Sequence, residues 1–163
     1  MQRTLRFHNT KVVDLRLIDV DLEQKPGPKP RGFWYDVGGE WLAWMKEEAK
    51  DWIQPVWFDV VIPSTLRMLV LRGASDLDEF TRRYAVKDDK GFGYFNEFLI
   101  DWPRVAAEYD GIEIASYVWS RRFDLLWYYG YDCACGCVWR RQSELILTPV
   151  PRESVERLLS GVV

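Results

Sequence analysis

Cysteine is scarce in this chain. There are three, all within Cys133-Ala134-Cys135-Gly136-Cys137. An odd, crowded trio is no disulfide framework and suits thiols in a reducing compartment. Alternate positions on a strand face the same way, but zinc takes pairs spaced by two to four residues, so small buried thiols under aromatic rings are expected and no metal is. No apolar run approaches the length of a membrane span, and the start of the chain, with Arg3, Arg6 and His8, lacks a signal-peptide core. A cytoplasmic location without membrane contact is therefore expected. Neither sign of charge dominates: 22 Lys and Arg against 25 Asp and Glu give a net charge of -3. That balance argues against a broad phosphate-binding surface, although Arg121-Arg122 and Arg140-Arg141 leave local basic patches. There is no internal repeat and no linker composition, so the 163 residues are expected to form a single domain, 1–163.

What the chain has is apolar and above all aromatic residues: 48% hydrophobic, 15% aromatic, with nine tryptophans. Most of these rings must be core, because each buries a large area and few sites need more than two or three. Residues 3–8 read as a first strand and Val12 to Val20 as a further extended stretch. Lys25 to Gly32, with three prolines, is a stiff loop that delivers a strand from Phe33 to Val37. Glu40 to Trp52 has helical spacing, Val56 to Ile62 and Leu66 to Leu71 read as strands, and Ser75 to Ala85 as a second helix. Lys87 to Asn96 is a loop, and Asp101 caps a short helix running to Glu108. Ile112 to Ile114, Cys135 to Arg140 and Ser143 to Thr148 read as strands, and Pro151 to Leu159 as a terminal helix. Strands and helices do not alternate regularly, which predicts an α+β fold.

Several ordered segments together carry a family resemblance. Phe7-His8-Asn9-Thr10 resembles the histidine-containing first strand of ADP-ribosyltransferases of the diphtheria-toxin and poly(ADP-ribose) polymerase type. Gly32-Phe33-Trp34-Tyr35 followed by a helix resembles their aromatic second strand. The stretch from Leu66 through Asp101-Trp102 to Tyr109-Asp110-Gly111-Ile112 is similar to the middle of small bacterial and phage members. Ser143-Glu144-Leu145-Ile146-Leu147 is similar to the late strand that begins with the catalytic glutamate. The resemblance implies a split β-sandwich of two antiparallel sheets with flanking helices, NAD as co-substrate, and transfer of ADP-ribose with release of nicotinamide. Compact transferases of this kind resemble phage effectors or bacterial toxins.

Cleaving the nicotinamide–ribose bond develops an oxocarbenium-like sugar, which a fixed carboxylate stabilises. Glu144 is the expected residue. Glu113 is its rival, ranked second because alternation with Ile112 and Ile114 turns it to the face that is more often solvent. By resemblance His8 donates a hydrogen bond to a ribose hydroxyl, while Asn9 and Thr10 offer contacts to the nicotinamide amide. Trp34 or Tyr35 supplies one aromatic face for the charged ring and Trp44 a second, tryptophans standing where the family has tyrosines. Gln142, two residues before Glu144, is expected to orient the acceptor, and Arg31 to meet the pyrophosphate. The charge balance leans towards a protein or small-molecule acceptor over nucleic acid. NAD glycohydrolysis on the same fold, and a non-catalytic module using the aromatic cluster from Trp119 to Trp139, are the alternatives. Transfer of an RNA 2′-phosphate ranks below them, since it needs several basic residues at the cleft.

Overall fold

Paired glycines at 38 and 39, both with positive φ, turn the chain out of its second strand and into its first helix. The computed structural model describes residues 3–20, 22–87 and 98–160. Along the chain run β1 (Arg6–Thr10), β2 (Phe33–Val37), α1 (Glu40–Glu48), β3 (Val56–Val61), β4 (Met68–Leu71), α2 (Ala74–Tyr84) and β5 (Ala85–Lys87). After them come β6 (Phe98–Ile100), α3 (Trp102–Glu108), β7 (Gly111–Ile114), α4 (Leu126–Tyr129), β8 (Cys135–Val138), β9 (Ile146–Val150) and α5 (Arg152–Ser160). The mix is α+β, as expected.

Seven strands form one sheet in the order β4-β7-β8-β2-β1-β3-β9, and β5 pairs with β6 apart from it. All pairs are antiparallel except β4 with β7, so the large sheet is mixed rather than wholly antiparallel. Side chains alternate between its faces. One face carries two apolar clusters. Leu71, Ile112, Ile114, Cys135 and Cys137 pack under α2, α3 and Trp127; Phe7 and Trp57 pack under α1 and Val155 of α5. Phe33, Tyr35, Val37, Val60 and Val138 point to the other face and meet Leu66 and Leu145.

The stretch from Val12 to Val20 pairs with no strand. Its alternation is nonetheless physical: Leu15 and Leu17 cover the second face, while Val12, Val13, Ile18 and Val20 are exposed. The first helix stops at Ala49, whose φ of -150° leaves the helical region, and a 3₁₀ turn at Lys50–Trp52 replaces its last expected turn. The late strand also starts later than predicted. Arg141 adopts the left-handed region at φ 56°, which redirects the chain into a 3₁₀ turn at Gln142–Glu144 before β9. Ser143 holds that turn by donating its N–H and hydroxyl to Asp19. The predicted loop at 87–96 lies almost entirely outside the described residues. Among those described, no helix is long and apolar enough to cross a membrane.

Candidate functional site

Indole rings from three separate elements meet beside β2. Trp34 projects from β2, Trp41 and Trp44 from α1, and Trp52 from the 3₁₀ turn behind it, enclosing a cleft of about 290 Å³ together with Lys29, Tyr131, Asp132, Cys133 and Cys135. That volume is close to the lower end for small-molecule sites. Trp44 and Trp52 pack with centroids 5.8 Å apart, and Trp34 and Tyr131 at 6.0 Å. The Lys29 ammonium sits over two of these rings, 5.8 Å from Trp34 and 4.9 Å from Tyr131.

The wall formed by α1 is anchored at its first turn by two carboxylates. Buried Asp36 accepts from the N–H groups of Trp41 and Leu42, and Glu40 accepts from the N–H of Ala134, tying the helix start to the segment that leads into β8. Burial outweighs those N–H bonds and raises the Asp36 carboxyl to about 6. The folded chain then holds this proton more tightly than the unfolded one, so the contribution of Asp36 to stability is greatest below about pH 4 and declines as pH rises through 6. The decline amounts to about 3 kcal/mol at most. Asp36→Asn is expected to remove this slope while keeping one N–H bond, as read from thermal midpoints between pH 4 and 7.5; an unchanged slope would rule out Asp36 as its source.

Beside the cleft, β1 and β2 part. Their ladder consists of Arg6 with Val37 and Phe7 with Asp36, whereas β1 stays paired with β3 through Thr10. The Gly38 N–H to Leu5 C=O bond fixes the alternation, so the main-chain groups of Phe7 and Asn9 face β2 and those of Trp34 face β1. Beyond Phe7 the N–H and C=O of Asn9 therefore point into an opening. His8 bridges that opening, its Nδ1 lying 2.7 Å from the Trp34 carbonyl. A carbonyl only accepts, so Nδ1 carries the proton and Nε2 of the neutral ring is an acceptor. Burial lowers the His8 pKa and favours that neutral form, and the ring packs against Phe33 at 4.4 Å. Strand register puts this ring on the same sheet face as Phe33 and Tyr35, opposite the Trp34 indole, so His8 does not share the tryptophan cleft and its ring proton is spent on the Trp34 carbonyl.

Of the residues singled out from the sequence, Trp34 and Trp44 share the cleft. Glu144 lies elsewhere, in the 3₁₀ turn, paired with Arg141 at 2.7 Å and accepting from the Thr65 hydroxyl. Gln142 lies in the same 3₁₀ turn as Glu144 and not on a strand, so the shared strand face expected of the two is absent; its side chain is buried and donates to the Val138 carbonyl. Tyr35 is wholly buried on the opposite face and donates its hydroxyl to Glu113 at 2.8 Å. Glu113 itself is 3% exposed and paired with Arg6 at 2.7 Å, a core ion pair rather than a solvent-facing carboxylate. The Asn9 side chain is spent on the backbone of Gln54 and Val56, and Thr10 accepts from the N–H of Val12. The Arg31 main chain is held by Gln24, and it is Lys29 of the same loop that lines the cleft.

The carboxylate at the cleft is Asp132, which pairs with Arg122 at 2.9 Å through one oxygen. Its sequence signal was position: it stands just ahead of β8, the strand paired to β2. Burial pushes the thiols of Cys133 and Cys135 up, Cys135 to about 12, which makes both poor nucleophiles. Among the described residues no group of His, Cys, Asp and Glu is arranged to hold a metal ion. No protein-family model, curated protein or solved structure matches this chain.

Proposed function

We propose that the chain binds NAD and transfers its ADP-ribose, on an ADP-ribosyltransferase-like split sheet, with the nicotinamide in the tryptophan cleft. One observation carries this reading. Trp34, at the aromatic position of the resemblance, turns its indole to the cleft and its backbone to the β1–β2 opening, and Trp44 from the following helix lines the same cleft. Indole faces hold a positively charged ring by stacking and cation-π attraction and release it more readily once it is neutral. The N–H and C=O of Asn9 match the oxygen and amino group of a primary carboxamide.

Asp132 takes the role first assigned to Glu144. As the ribose–nitrogen bond breaks, its electron pair passes to the ring nitrogen and the sugar carbon becomes positive, which a nearby carboxylate stabilises. An acceptor nucleophile then bonds to that carbon and loses its proton; water in its place gives glycohydrolysis. The net charge of -3 favours a protein or small-molecule acceptor.

Pure protein incubated with NAD is expected to release nicotinamide, and NAD is expected to quench tryptophan fluorescence. Trp34→Ala should weaken NAD binding about tenfold or more. Unchanged affinity would take the cleft out of the reading. A second reading is favoured by Trp119, Phe123 and Tyr129, which are exposed beside Arg122: a non-catalytic interaction module. Binding of NAD without release of nicotinamide would support ligand binding alone.

A further inference from the structure

The loop that carries Lys29 is fixed on both sides of it. Gly27 exchanges two main-chain bonds with Ile100 and accepts from the Trp102 indole N–H, while Gln24 both donates to and accepts from the Arg31 main chain. Pro28 and Pro30 flank the lysine and restrict its backbone further. Only the four-carbon stem is free to swing. Its ammonium rests over Trp34 and Tyr131, within cation-π range of both, and among the described residues no carboxylate lies within 4.0 Å of it.

We infer that Lys29 occupies the cation site of the cleft in the free protein, yields it to the cationic ring of an incoming dinucleotide, and then pairs with the anionic diphosphate of that same ligand. This rests on the reading of the cleft as an NAD site and names what makes it selective. A bare cation must displace the lysine and gains nothing from it, whereas a ligand carrying both charges regains the displaced ammonium as a partner. The apparent affinity of a cation falls by the fraction of protein in which the lysine is out of the way. The diphosphate contact is charge-assisted and recovers that loss.

The test compares wild type and Lys29→Ala by fluorescence titration and calorimetry with three probes: tetramethylammonium, N-methylnicotinamide cation and NAD. Lys29→Ala is expected to bind the two simple cations about fivefold more tightly and NAD about tenfold more weakly. The opposite signs are the signature, because general damage to the cleft would weaken all three. Equal affinities in both proteins, or weakening of every probe, would overturn the inference. If NAD binds neither protein but the simple cations gain in Lys29→Ala, the dinucleotide reading fails while the lysine's hold on the cation site stands. If wild type binds none of the three probes, both readings fall. Lys29→Arg, which keeps the charge, should retain NAD affinity within about threefold and low affinity for the simple cations.

Discussion

Asp132→Asn is expected to lower nicotinamide release from NAD at least about a hundredfold, a loss of about 2.7 kcal/mol of transition-state stabilisation, with NAD affinity changed little. The amide has nearly the shape of the carboxylate and lacks only its charge, so the effect should fall on turnover rather than on binding. Glu144→Gln serves as the control. It lies in the turn before β9, held by Arg141 and Thr65, and should leave release unchanged. Loss of activity in Glu144→Gln with full activity in Asp132→Asn would reverse the assignment. Because Asp132 also pairs with Arg122, thermal melts must accompany the rates, and Asp132→Glu should restore part of the activity.

Arg6→Met should destabilise the fold by about 3 kcal/mol, since it leaves the Glu113 charge buried without its cation. Arg6 reaches Glu113 through two bonds, at 2.7 and 3.0 Å, and Tyr35 adds a third. Pairing Arg6→Met with Glu113→Gln should recover most of the loss, because the amide still accepts from Tyr35 and carries no charge. Denaturant midpoints of the two singles and the double make the measurement. Additive losses in the double would mean that packing, not charge, dominates the site.

Local chemistry made much of the architecture legible. Pro26, Pro28 and Pro30 announced the loop before β2; Asp101 with Pro103 announced α3, and the Asp101 side chain does accept from the N–H of Arg104. The alternation of Ile112, Glu113 and Ile114 gave the strand but not the environment of Glu113. Arg6, 107 residues away, joins it inside the fold, and no local pattern reveals that contact. The glutamate turn was misread for a related reason: Leu145, Ile146 and Leu147 look like one strand, yet the left-handed Arg141 and the clasp by Asp19 curl the chain first. Trp34 and Trp44 were singled out by the family resemblance alone, and the structure brings the two to one cleft. Asp132 was not, because a lone aspartate in an aromatic stretch carries no periodic signal.

Strand order has a consequence for how the chain matures. β2, near the start, lies between β1 and β8, whose residues are made about a hundred positions later. Until that late segment arrives, one edge of β2 has no neighbour, and Tyr35 has neither Gly136 to lie across nor Glu113 to meet. Such sequence-distant closure makes folding slow for a protein of this length, and a growing polypeptide must shield that edge from wrong pairings in the meantime.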